Sequence, residues 1–152
     1  MMQIIDEVFA TRNDPDQLQV TPQQLKKLQK IHPATLTELA DENGPVIWVL
    51  VIPTTETVMH DFLNGIISEK ELLERTQPGD RYDCLYLCSV TTLPEYRGKG
   101  QTKKLCLEVI SSIRKDHPIK TLFAWPFTKE GERLAEALAK TTGLQLLKRK
   151  MD

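Results

Sequence analysis

The sequence predicts an α/β fold built on a mixed sheet, antiparallel in its N-terminal half and parallel in its C-terminal half. Three observations lead there. Asn43-Gly44 lies between two β-prone runs, the strongest short signature of an antiparallel hairpin. From Tyr82 onward strand and helix patterns alternate, an order that needs parallel crossovers. Between these halves, about 54–80, two short helical patterns form an insert between strands. No repeat, low-complexity stretch or linker interrupts the chain, so 1–152 reads as one domain.

Met2 to Thr11 is predicted as a short helix with Ile4, Ile5, Val8 and Phe9 on one side, and Gln17 to Val20 as a short edge strand. Thr21 is an N-cap, Pro22 suits the first helical position and Gln24 closes a capping box. That helix should stop near His32-Pro33. Ala34–Asp41 and Val46–Ile52 form the hairpin, and the second run, apolar on both faces, should be central. Thr55–Asn64 is helical with Gly65 after it, and Ser68-Glu69-Lys70-Glu71 is a second capping box. Gln77-Pro78-Gly79-Asp80 turns the chain. In the strand Tyr82–Thr92, Cys84, Tyr86, Cys88, Val90 and Thr92 should share one face.

A glycine loop, Arg97-Gly98-Lys99-Gly100, then leads into a helix over about Gln101–Lys115, with Leu105, Cys106, Val109, Ile110 and Ile113 as its apolar stripe. A strand is predicted over Lys120–Phe127, a helix from Thr128 to Gly143 and a last strand over Leu144–Lys148. The last strand should pair with Lys120–Trp125 of its own chain. A dimer, if one forms, would use another surface, since Lys148-Arg149-Lys150 repels its own copy.

Composition removes several classes. The chain has 152 residues, 40 % hydrophobic and 27 % charged, with a net charge of −1. That apolar content opposes disorder, and the balanced charge opposes nucleic acid as a partner. No apolar run reaches the roughly 18–20 residues of a membrane span. Met1–Glu7 lacks the basic start of a secretory signal. Cys84, Cys88 and Cys106 are odd in number and His32, His60 and His117 are scattered. The expectations are no disulfide framework, no metal site and a reducing, cytoplasmic location.

The glycine loop carries the chemistry. It joins a buried strand to an amphipathic helix, whose first turn offers unpaired N–H groups and a positive dipole end. Glycines admit a phosphate close to the backbone, and Arg97 and Lys99 add positive charge. The expected ligand is a pyrophosphate, against the alternative of a solvated turn. Neither the Walker pattern nor the dinucleotide fingerprint fits.

The longer string Leu85–Gly100, with Pro94-Glu95-Tyr96-Arg97-Gly98-Lys99-Gly100 at its end, resembles motif A of the GNAT superfamily of acyl-CoA-dependent N-acyltransferases. The resemblance implies a GNAT-type sheet, with acetyl-CoA as co-substrate. The N–H groups of Gly98, Lys99, Gly100, Gln101 and Thr102 would hold the CoA pyrophosphate. Thr102 stands where the family usually has Gly or Ala, which would hold the backbone slightly further from the phosphates. Val90, Thr91 and Thr92 would run beside the pantetheine arm, with an N–H near Thr92 polarising the acyl carbonyl. Pro126 and Phe127 would line the far side.

Family members often carry a carboxylate on the strand before the loop, and here Cys88 and Ser89 stand at those positions. The helix Thr128–Thr142 lacks the tyrosine that often serves as general acid. Proton removal must come from elsewhere. Glu56 and His60, four apart on the insert, are candidate bases, with Asp61 adjacent; Cys88 and Ser89 are the others. Glu38 and Glu42 are weaker candidates. The bland alternatives are a solvated helix face for the insert pair and a core position for Cys88. The resulting expectation is an N-acetyltransferase acting on a small-molecule or peptide amine by direct transfer, as a monomer or homodimer. Its rivals are a degenerate domain that binds CoA or a partner without turnover, and a module for another nucleotide.

Overall fold

Local signals set the element ends. The computed structural model describes residues 21–149 apart from Lys99 and Phe127; the expected N-terminal helix and the edge strand Gln17–Val20 lie outside them. Helix α1 (Pro22–Ile31) opens on Thr21, whose Oγ1 accepts from Gln24 N at 3.2 Å while Gln24 Oε1 accepts from Thr21 N at 3.0 Å. The Asn-Gly hairpin joins β1 (Leu36–Asp41) to β2 (Gly44–Thr54). The insert holds α2 (Glu56–Leu63) and α3 (Glu69–Arg75), the latter started by the Ser68/Glu71 capping box. Each such cap contributes about 1 kcal/mol.

Strand β3 (Cys84–Thr92) leads through a 3-10 turn (Pro94–Tyr96) into α4 (Gln101–Asp116). Then come β4 (Thr121–Ala124), α5 (Lys129–Thr142) and β5 (Gln145–Lys148). The sheet order is β1-β2-β3-β4-β5, antiparallel across the first two pairs and parallel across the last two. The expected α/β architecture, with an antiparallel half followed by a parallel half, is present. β2 lies inside the sheet, between β1 and the middle strand β3, and is buried from Val46 to Thr54. β5 pairs with β4 of its own chain, Thr121 opposite Gln145 and Ala124 opposite Lys148.

Two expectations need correction. β4 ends at Ala124 rather than near Phe127, so Trp125 and Pro126 leave the sheet. β3 does not alternate regularly. Leu50 faces Ser89 and Val51 faces Leu87, so Cys88 is an extra, bulged residue. A bulge bends its strand and resets which face the following residues take.

The two faces carry different helices. Leu87 faces α4 and α5 across a cleft. Tyr86 points the opposite way, onto Phe62 of α2 (ring centroids 4.9 Å apart) and beside Phe123 of β4 (5.0 Å). Tyr86, Phe62 and Phe123 are fully buried and anchor the core on the insert's side.

At the far end of β3, His117 Nδ1 accepts the Tyr82 N–H at 3.4 Å. Burial, and then the neighbouring His32, lower the His117 pKa below its ordinary 6.5. The unfolded chain then takes up this proton at a higher pH than the folded one. The stability contribution is complete above about pH 6.5 and is lost as pH falls through the depressed folded value. Urea midpoints measured from about pH 7.5 down to 5 should fall, and His117→Asn should flatten that slope. An unchanged slope would show that His117 is not its source.

Candidate functional site

The cleft arises because two parallel strands part company. β3 and β4 pair from Cys84–Thr121 to Leu87–Ala124, and there β4 ends. Cys88 through Thr92 continue along β2 alone. Leu93 N donates to Val46 O, so its backbone faces β2. Strand alternation turns Thr92 and Val90 the other way, to the open edge. Arg97 Nε donates to the Thr92 carbonyl at 3.1 Å, in keeping with that direction. The space between the parted strands, α4 and α5 is a cleft of about 950 Å³, within the range of small-molecule sites.

One end of the cleft is the glycine loop. Gly98 and Gly100 have φ of 78° and 77°, the left-handed region that suits glycine. Gly100 caps α4 without a side-chain hydrogen bond, so the first-turn N–H groups have no side-chain cap from it. Tyr96 donates its hydroxyl to Asp41 Oδ2, tying the 3-10 turn to the hairpin. Thr102 Oγ1 and Thr92 Oγ1 lie 2.6 Å apart, so the Thr102 hydroxyl is satisfied inside the protein.

The expected cofactor residues largely converge. Val90, Thr91, Thr92, Arg97, Gly98, Thr102 and Pro126 line the cleft, while Gly100 and Gln101 open α4 at its end. Lys99 and Phe127 lie outside the described residues. Cys88 and Ser89 also line the cleft, and Cys88, at 3 % exposure, takes the core position weighed for it from the sequence.

Glu56 and His60 are placed elsewhere. Glu56 Oε2 holds Lys120 Nζ at 3.1 Å, and Lys120 also reaches Asp83 at 3.8 Å. His60 Nε2 is 3.5 Å from Glu56 Oε1, and both side chains are about half exposed. This network sits at the starts of β3 and β4, whereas the cleft opens at the other end of the parallel pair. Lys120 beside Glu56 lowers the carboxyl pKa, as a surface ion pair does. Of the weaker candidates, Glu42 is exposed in the hairpin turn. Glu38 lies opposite Trp48; its Oε2, like Trp48 Nε1, is buried with no hydrogen-bond partner among the described residues.

The structure adds a carboxylate that motif reasoning passed over. Glu69, the first residue of α3, is fully buried beneath the bulge. Its Oε2 accepts from the Tyr86 hydroxyl and from the Cys88 thiol at 3.7 Å. Its signal was present: Glu69, Leu72 and Leu73 fall at i, i+3 and i+4, so the carboxylate lies on the apolar face of its helix.

Arg149 is the second addition. In the run Lys148-Arg149-Lys150, Lys148 pairs with Glu136 at 3.0 Å, but Arg149 is buried. Its guanidinium lies 4.3 Å from the Trp125 ring centre and 4.6 Å from that of Phe62, and it donates to Ile67 O at 3.2 Å. Cys84 and Cys106 are buried, and burial pushes both thiols up to about 12, which keeps them protonated.

Among the described residues, no helix is long and apolar enough to cross a membrane. No protein-family model matches the chain, and no curated protein is matched. Among solved structures the chain is similar to the tetramutant of BH1408 protein from Bacillus halodurans, at 15 % identity and a TM-score of 0.48, over 99 % of this chain and 86 % of that one.

Proposed function

We propose that the chain is a GNAT-type acyltransferase that binds acetyl-CoA in the cleft and moves its acetyl group to an amine. The observation that carries this reading is the parting of β3 from β4 at the Cys88 bulge, just before a left-handed glycine loop and the start of α4. An extended arm laid along the open edge of β3 would meet the outward backbone groups of Val90 and Thr92, as an added strand does. A pyrophosphate would then reach the α4 N-terminus, where glycines allow close approach. The acyl end would lie toward the bulge, where Cys88 and Glu69 stand. A titratable carboxylate at that end favours turnover over cofactor binding alone.

Calorimetry with acetyl-CoA, ATP and NAD tests the cofactor. Binding of acetyl-CoA alone, followed by CoA release that depends on an added amine, is the expected pair of results. Binding of ATP or NAD without acetyl-CoA would overturn the reading.

A further inference from the structure

Three titratable groups at the bulge form a nucleophile, a base and a group that orients the base. Cys88 lines the cleft and donates its thiol proton toward Glu69 Oε2 at 3.7 Å. The same oxygen accepts from the Tyr86 hydroxyl, which fixes the carboxylate under the thiol. Glu69 is itself 0 % exposed and touches Cys88, which lines the cleft. Among the described residues lining the cleft, the carboxylate is Glu130, exposed on the first turn of α5. Between the cleft and the buried carboxylate, then, stands the Cys88 residue. Nucleophile and base within hydrogen-bond reach, with a third group holding the base, is the arrangement of covalent catalysis.

We infer that Cys88 is an acyl-accepting nucleophile, activated by Glu69, and that the acetyl group passes through an acetyl-Cys88 thioester on its way to the amine. This rests on the acetyl-CoA reading and replaces the one-step route with two steps. In the first, Cys88 Sγ attacks the thioester carbonyl while Glu69 takes the thiol proton. A new S–C bond forms, the S–C bond to CoA breaks, and Glu69 returns the proton to the departing CoA thiolate. In the second, the amine attacks the acetyl carbon of Cys88. The N–C bond forms, the Cys88 S–C bond breaks, and the amine proton returns to Cys88 by way of Glu69. Both steps exchange one acyl bond for another, so no oxidant, reductant or metal is needed. Tyr86 is a positioning residue that acts through Glu69.

The bulge is what sets Cys88 apart from its neighbours on the strand. Cys88 is the residue the register skips; it lines the cleft wall at 3 % exposure, with Sγ held toward Glu69. Cys84 and Cys106 provide internal controls, since burial holds both thiols protonated.

The test is intact-mass spectrometry of the full chain mixed with acetyl-CoA and no amine. A gain of about 42 Da per chain is expected, labile to hydroxylamine, mapped to Cys88 and matched by one equivalent of released CoA. Cys88→Ser should lose the hydroxylamine-labile thioester, while leaving acetyl-CoA affinity unchanged by calorimetry. Glu69→Gln should slow adduct formation by about 10²–10⁴-fold at unchanged affinity. Tyr86→Phe should move the acid limb of the rate profile to higher pH, since the carboxylate loses a hydrogen bond to its charged form. Amine-dependent CoA release with no adduct, and with turnover kept in Cys88→Ser, would overturn the thioester and leave the acetyl-CoA reading intact. Failure of the wild-type chain to bind acetyl-CoA would overturn both.

Discussion

Gly100→Val is expected to abolish acetyl-CoA binding while the chain stays folded. The two halves of this expectation have separate causes. Gly100 has φ of 77°, and beyond its chain neighbours a Cβ built there meets no atom of the described residues within 4 Å. The cost to the free protein is therefore backbone strain, about 1–2 kcal/mol for a residue with a side chain in the left-handed region. Domains of this kind keep about 5–15 kcal/mol of stability, so the variant remains folded with a lowered midpoint. The new side chain projects into open space beside the first turn of α4, where the proposed pyrophosphate must come within hydrogen-bond distance of the backbone. Calorimetry should show no heat for acetyl-CoA with the variant, beside a cooperative thermal transition. Equal affinity in the two proteins would remove the loop from the cofactor site.

Phe62→Ala should cause the largest loss of stability. Phe62 is fully buried and lies against Tyr86, Phe123 and Trp125, with ring centroids 4.9, 6.0 and 5.9 Å away. The Arg149 guanidinium also stacks on it at 4.6 Å. Truncating a buried phenylalanine costs about 3–5 kcal/mol in transfer and cavity terms. A buried guanidinium losing an aromatic support adds to that, about 1 kcal/mol by the usual strength of such contacts. In a chain of this length each kcal/mol lowers Tm by about 2–4 °C, so a drop of about 10 °C or more is expected. Phe62→Leu should cost well under half as much, because most of the volume is kept. A loss below about 1 kcal/mol for the alanine variant would show that the cluster collapses to fill the space.

The two effects fall on different sides of the sheet. Gly100 belongs to the loop between β3 and α4, and Phe62 to the insert helix packed on the opposite face. Between them stands Cys88, which lines the cleft and whose thiol touches the insert's Glu69. The insert is thus more than a spacer between strands: it supplies the carboxylate at the site.

Local chemistry written in consecutive residues was legible in the sequence. The capping boxes at Thr21 and Ser68 begin helices, the Asn43-Gly44 turn makes its hairpin and Gly143 ends α5 at φ 74°. Each depends on hydrogen bonds or dihedral limits within about four residues, so neighbours suffice to specify it. The alternation of strand and helix patterns after Tyr82 likewise fixed the parallel half, because handedness leaves few ways to connect such elements. The glycine loop between strand and helix was legible for the same reason, and residues on either side of it line the cleft.

Long-range packing decided the rest. A regular alternation over Cys84–Thr92 hid the bulge, since only the facing strand reveals that Leu50 and Val51 skip Cys88. Glu56 and His60 share a helix face, yet the way α2 crosses the sheet carries them to Lys120. Glu69 looks like one more acid in a helix's first turn until Tyr86 and Cys88 close over it from a strand seventeen and nineteen positions away. Arg149 sits in a basic run and yet is buried between Phe62 and Trp125. Spacing along one element says which side chains share a face, but which face is covered, and by what charge, depends on segments far apart in the chain.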